Sequence, residues 1–314
     1  MSISWQEQYI PLKFQLSDFT LLKKYFHLNV CDIGITKNYH HIDLDEIKDT
    51  PLKGNQNGFL IHSYPLQERL PLLSFAKEFV IYMSNSYKRY YIDLSLGFEE
   101  YQNKFSSKTR STIKRKIKKF EQNCNGRIDF RSYRSYDHID EFYQYALQVS
   151  EKTYQTRLLD AGIPKSELFR EEMYNLANTN SARAYLLFYE NKPVSYLFLR
   201  AKSKVLFYNY LGYDPEYSHW SVGTILHWFA IEDIFKEKYW KLLDFTEGEG
   251  QQKSVFSTGS RECANIYLLR KSFPNLIFIF THLCFNKFSE KTGRFFEIFK
   301  IKSSLKKIIR FRLR

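Results

Sequence analysis

YNYLGYDPEYSHWSVGTILHWFAIEDIF, residues 208–235, changes period part-way along. Up to Tyr213 it is the tail of an aromatic and β-branched run, KVLFYNYLGY (204–213), that reads as a strand. Asp214-Pro215 then breaks the chain. From Val222 the apolar residues Val222, Ile225, Leu226, Phe229, Ala230 and Phe235 recur at helical spacing, which predicts a helix over 222–236. Ser221-Val222-Gly223-Thr224 therefore falls on a helix's first turn, where the N–H groups lack internal partners and the dipole is positive. Such a turn is suited to an anion, and Gly223 lets the backbone approach a pyrophosphate with no Cβ in the way.

Outward from this stretch the strand signals continue. AYLLFYE (184–190) and VSYLFLRA (194–201) precede it, separated only by Asn191-Lys192-Pro193 and Lys202-Ser203. Such short connections predict an antiparallel meander. WKLLDFT (240–246) is a further strand after the helix, EGEGQQKSVFSTGS reads as a polar loop, and a last strand is expected at 264–269. Upstream, Ser106 or Ser107 can cap a helix with a narrow apolar stripe, Ile113, Ile117 and Phe120, stopped by Asn125-Gly126. A second helix is expected at 137–153. Residues 1–95 read as a smaller mixed α/β unit, with strands at 60–64 and 90–94, a helix at 70–83 and a polar loop at 45–58. The expected division is 1–95, a main domain 96–285 and a basic amphipathic tail 286–314, the tail a candidate interfacial helix.

Charge is concentrated in two places. Lys104–Lys119 holds eight Lys/Arg and no acid, and 287–314 holds ten against Glu290 and Glu297. Together they carry +16 against a chain total of +13, so the body of the protein is about −3. Local basic runs suit phosphates, whether of a cofactor, a lipid surface or RNA. The four cysteines, 31, 124, 263 and 284, are scattered with no CxxC pair, so neither a zinc site nor a disulfide framework is expected. MSISWQEQYIPLKF lacks the basic start and apolar core of a signal peptide, and 273–285 is too short and too polar to span a bilayer. A cytoplasmic protein, at most peripheral to the inner membrane face, is expected.

The stretch from about Tyr196 to Phe256 resembles the catalytic half of a bacterial GNAT (N-acetyltransferase) family named for cellulose and polysaccharide biosynthesis. The matching elements are Tyr208 and Tyr210, Gly212-Tyr213-Asp214, Ser221-Val222-Gly223-Thr224, Asp244, Gly248, and Lys253 with Phe256. The basic helix at 106–119 and the run Glu151–Gln155 look like this family too, so the resemblance covers about residues 90–270. Val222 stands where the family usually has Pro, and Gln252 where it commonly has Tyr. The resemblance implies an α+β fold with a mixed, mostly antiparallel sheet, flanking helices and a splayed parallel pair formed by 204–213 and 240–246. It also implies a smaller or degenerate GNAT-like unit at the N-terminus.

What it implies chemically is acyl transfer from acetyl-CoA or another acyl-CoA to a small-molecule amine, with an amino sugar as one acceptor. The pyrophosphate would rest on Ser221, Val222, Gly223 and Thr224. Asp244 and Glu247 are candidates for the base, with Tyr210 as a further catalytic group. Tyr208, Glu249 and Lys253 are candidates for substrate contact. Tyr208 and Tyr210 are two apart in one strand and are expected to share a face. The reaction needs a deprotonated amine, a polarised carbonyl and a protonated leaving thiolate, and backbone donors can serve the carbonyl.

Two other functions fit the same residues. A Fem-like aminoacyl-tRNA-dependent ligase would use 104–119 on RNA and residues 1–95 as a worn first copy. A non-catalytic adaptor would use 104–119 and 287–314 on nucleic acid or a membrane surface. No GxSxG elbow, phosphate loop or complete dinucleotide fingerprint is present, and His40-His41 lacks ligand spacing, so no metal site is expected.

Overall fold

The computed structural model describes residues 5–16, 19–32, 47, 52–153, 162–248 and 250–298, with side chains as far as 289 except at 16, 19 and 85. Two compact units emerge, residues 1–87 with 262–314, and residues 88–261. The expected boundary at 95 thus falls at 87, and 262–285 groups with the N-terminal residues rather than with the main domain. The reason is pairing: the last strand finds its ladder partner in the first unit.

In the first unit, β1 (Gln6–Leu16) and β2 (Phe19–Asp32) form an antiparallel hairpin. β3 (Gly58–Pro65) lies parallel to β2, from Leu28↔Gly58 to Asp32↔His62. β4 (Leu73–Phe75) pairs with the start of β5 (Phe79–Asp93). The helix expected at 70–83 is therefore two strands. Apolar residues there mimic a helical spacing, but Phe79-Val80-Ile81-Tyr82 is a run of strong strand formers, and burial of Val80 and Tyr82 on the sheet outweighs the local pattern.

The second unit takes over within β5. It continues through α1 (Phe98–Asn103), α2 (Ser107–Asn123), β6 (Asp129–Tyr133), α3 (Tyr136–Ser150) and α4 (Glu167–Asn178). Then come β7 (Ala182–Tyr189), β8 (Lys192–Lys202) and β9 (Val205–Tyr213), the expected meander. Glu190-Asn191 and Ser203-Lys204 are left-handed at both positions, as two-residue hairpin turns require. A 3-10 turn (Pro215–Trp220) leads into α5 (Val222–Glu237), followed by β10 (Leu242–Asp244) and α6 (Gln251–Phe256). α6 replaces part of the polar loop expected at 247–260; its anchor is buried Phe256. β11 (Gly259–Arg270) crosses back to the first unit, pairs antiparallel with β3 and passes into α7 (Phe273–Ile298). There α7 packs on the hairpin, with Phe278 5.4 Å from Phe14 and 5.1 Å from Phe26 between ring centres.

Within the second unit the strand order is β5, β10, β9, β8, β7, β6. Neighbours are antiparallel except β10 and β9. One face carries α1, α2 and α5 over Leu187, Leu199, Leu206 and Leu243. The other carries α3 and α4 over Leu186, Tyr196 and Phe198. This is the mixed, mostly antiparallel α+β arrangement with flanking helices of a GNAT-like fold. Among the described residues no helix is long and apolar enough to cross a membrane.

Candidate functional site

The parallel contact between β9 and β10 is short. It runs from Val205↔Leu242 to Phe207↔Asp244 and stops. β9 continues for six residues, Tyr208–Tyr213, held by β8 on one side. Past Phe207, among the described residues, the link from β9 toward the β10 side is a side-chain one, Thr246 Oγ1 donating to the Tyr208 carbonyl at 3.3 Å. Thr246 is itself left-handed (φ 59°), which turns the chain away from the sheet. Strand β9 also bulges where the gap opens, since Leu199 faces Tyr208, Phe198 faces Tyr210 and Asn209 has no ladder partner. A bulge bends its strand and re-aims side chains.

The open edge of β9 leads into α5. Ser221 (φ 57°) makes the left-handed turn between the 3-10 turn and the helix and offers no side-chain cap. Its carbonyl accepts from Thr224 N–H at 2.9 Å, so Thr224 is engaged internally. The amides of Val222 and Gly223 have no such bond among the described residues. The Tyr213 ring lies over this turn: a Cβ on Gly223 would stand 3.3 Å from Tyr213 Cδ1. Gly223 thus gives the Tyr213 ring close room over the turn as well as suiting an anion. Tyr213 is 43% exposed, so it can rotate off the turn without opening the core.

A parallel pair that parts beside a helix N-terminus is the arrangement the resemblance implied. Residues 107–254 match the family described as acetyltransferase (GNAT) domain. The chain is also similar in fold to solved structures at low identity. FemX superposes with a TM-score of 0.54 at 11% identity, covering 88% of this chain and 90% of that one. L-PGS from Bacillus licheniformis gives 0.47 at 13%, covering 72% of each chain. An aminoglycoside acetyltransferase from an uncultured soil metagenomic sample gives 0.33 at 16%, covering 42% of this chain and 89% of its own. No curated protein matches the chain.

Within the GNAT-like domain the expected site residues separate into distinct settings. Asp244 is fully buried and held: Arg89 Nε reaches its two oxygens at 3.0 and 2.9 Å, an Arg89 terminal nitrogen lies 2.8 Å away, and Thr246 N–H donates at 2.8 Å. A carboxylate so engaged orders the end of β10 and is poorly placed to accept a substrate proton. Glu247 is exposed just beyond it, and Lys253 Nζ donates to the Glu247 carbonyl at 2.6 Å. Burial lowers the Lys253 ammonium below its ordinary value, aided by Arg89 and opposed by Asp244 and Glu247. Glu249 lies outside the described residues.

Tyr208 and Tyr210 do not share a face. The Asn209 bulge adds one residue to β9, which reverses the alternation. Tyr208 turns to the α5 side, where its hydroxyl meets His227 Nδ1 at 2.8 Å. Tyr210 turns to the opposite side, its ring 5.4 Å from Phe169 and its hydroxyl near the Arg200–Glu172 pair. Burial raises both phenols, Tyr208 the more. Desolvation pushes His227 down to about 3, and its Nε2 is buried without a partner among the described residues.

Sequence reasoning missed Arg89, and a signal existed: an arginine inside YKRYYID implies a buried acid elsewhere in the sheet. It also overstated the first basic run. Lys104 reaches back to the carbonyls of Val255 and Ser257 at the end of α6. The open cationic surface begins at Lys108. Among the described residues, none of the seven Lys/Arg on α2 enters an ion pair, while buried Ile113 and Phe120 hold the helix against α5 and the 3-10 turn.

Proposed function

We propose that residues 88–261 form an acyl-CoA-dependent N-acyltransferase. One observation carries this reading: β9 outruns its parallel partner beside the N-terminus of α5. The exposed strand edge at Tyr208–Tyr213 offers backbone groups to the amide-bearing arm of CoA. Val222 and Gly223 offer two N–H groups to its diphosphate, and the nearby α2 cations suit its remaining phosphate. Bound there, an acyl-CoA supplies an activated carbonyl to an amine. Glu247, the exposed carboxylate at the mouth of the gap, accepts the proton that the amine releases. Lys253, with its lowered proton affinity, returns one to the sulfur that leaves. Tyr210, with Arg200 and Glu172, lines the opposite face of the sheet and orients the acceptor. An amino sugar destined for a polysaccharide is the acceptor class the family resemblance supports, and acetyl the simplest group.

Titration calorimetry with acetyl-CoA and longer acyl-CoAs tests the donor half. Saturable, one-to-one binding is expected, and no heat with any CoA thioester overturns the proposal. A thiol-release assay across amino sugars tests the acceptor half, with Glu247→Gln expected to lower turnover about 100-fold.

A second reading, a Fem-like aminoacyl-tRNA-dependent ligase, is favoured by two features. The likeness to FemX extends over both units, and α2 presents cations that enter no ion pair among the described residues. Tight RNA binding that collapses with rising salt, without CoA binding, would select it.

A further inference from the structure

Helix α7 of the first unit is apolar on two sides. Phe278, Ile279 and His282 are buried in the core. On the other side Phe273, Ile277, Phe280, Cys284 and Phe288 follow at steps of four, three, four and four, which is one stripe along an α-helix. The stripe faces water: Phe273 is 77% exposed, Ile277 48%, Phe280 49% and Phe288 59%. It is roughly 22 Å long at the rise of an α-helix. Exposed apolar strips of this kind mark interaction surfaces.

The surrounding chemistry indicates what covers it. Lys287 stands exposed beside the stripe. From that residue to the C-terminus the sequence holds ten Lys/Arg against two Glu, interleaved with Phe, Ile and Leu. The same end of α7 lines a cavity of about 400 Å³ with Leu72, Tyr82, Ser84, Ser86, Asn286 and Lys287. These polar groups include donors, and no carboxylate among the described residues lines the cavity, which suits a phosphate head. The Tyr82 hydroxyl is already engaged by His282 Nδ1 at 2.7 Å. A strip one helix-face wide falls short of the ~800 Å² per partner of a stable protein interface. A bilayer requires no such shape match, only apolar residues at its acyl boundary and cations among its phosphates.

We propose that α7 seats the first unit on an anionic phospholipid surface. The helix lies in the interface plane, with Phe273, Ile277, Phe280 and Phe288 inserted and Lys287 at the level of the headgroups. This inference is independent of the acyltransfer reading.

Co-sedimentation of the full chain with vesicles tests it, comparing pure phosphatidylcholine with phosphatidylcholine containing phosphatidylglycerol. Binding is expected to the anionic vesicles and to weaken with added salt. Phe280→Ser with Phe288→Ser should weaken it about 100-fold, roughly tenfold per ring, and both rings are exposed enough that the thermal melt stays unchanged. Lys287→Glu should weaken it about tenfold while leaving the melt intact. Failure of the wild type to bind anionic vesicles, or undiminished binding by the double variant, overturns the proposal. A dimer in sedimentation velocity that the same two substitutions dissolve also overturns it, in favour of a second copy of the chain.

Discussion

Among the described residues there are two parallel strand pairs, one in each unit, and they are closed to different extents. In β2/β3 the described ladder sets Leu28–Asp32 against Gly58–His62. Along Gly58–Ile61 the other edge of β3 is paired with β11, so that stretch has a strand on both sides. In β9/β10 the ladder is three residues long, and it is the first strand that runs on, bulged and without β10 beside it. A strand that outruns its partner just before a crossover helix leaves a backbone edge and a helix N-terminus close in sequence. Closure on both edges favours stability in the first pair, whereas the second keeps the edge that the proposed acyl-CoA would take.

The comparison can be broken where each pair is fixed. Asp244 ends β10 and neutralises buried Arg89. Asp244→Ala strands that cation in the core and should cost about 3–5 kcal/mol in urea unfolding. Arg89→Met with Asp244→Leu should recover much of the loss, because the isolated charge is the damage. On the closed pair, a Cβ on Gly58 (φ 154°) would stand 1.9 Å from the Leu268 carbonyl oxygen, a backbone atom that cannot yield. Gly58→Ala should cost about 2–3 kcal/mol by the same unfolding measurement.

Beneath the open pair, His227 gives a signature in pH. Its proton affinity in the folded state, about 3, is depressed by burial below the ordinary 6.5, so the unfolded chain binds a proton that the folded chain refuses. Stability is fully present above about pH 6.5 and is lost as pH falls toward about 3, at about 1.4 kcal/mol per pH unit for one proton. His227→Gln, which keeps an acceptor for Tyr208, should remove that slope from the difference between the two proteins' unfolding curves. The smallest effect is expected at the helix turn. Gly223→Ala meets only the Tyr213 ring, at 3.3 Å, and should cost under about 1 kcal/mol in stability while weakening acyl-CoA binding. An effect at Gly223 as large as that at Gly58 would mean the turn is as rigid as the closed sheet.

Periodicity exposed the meander and α5 because their patterns are long and unambiguous: Val222, Ile225, Leu226 and Ala230 are all buried as the helical spacing demands. It failed where one residue or a distant partner decides. Asn209 looks like any strand residue, yet as a bulge it sends Tyr208 and Tyr210 to opposite sides. Leu70–Met83 carries a helix-like pattern that pairing converted to strand. Asp244 was visible as an acid at a strand end, but its bond to Arg89 spans 155 residues and has no local signature. The turn at Ser221–Thr224 was legible as an anion site, whereas the Tyr213 ring across Gly223 depends on the strand's exit angle.

Backbone hydrogen exchange of the full protein, with and without acetyl-CoA, tests the account most directly. If the arm of CoA lies along β9 and its diphosphate on α5, amides of Tyr208–Tyr213 and of Val222–Gly223 should slow markedly, while those of β2 and β3 stay unchanged. Unaltered exchange at 208–213 and 222–223 under saturating acetyl-CoA would contradict it.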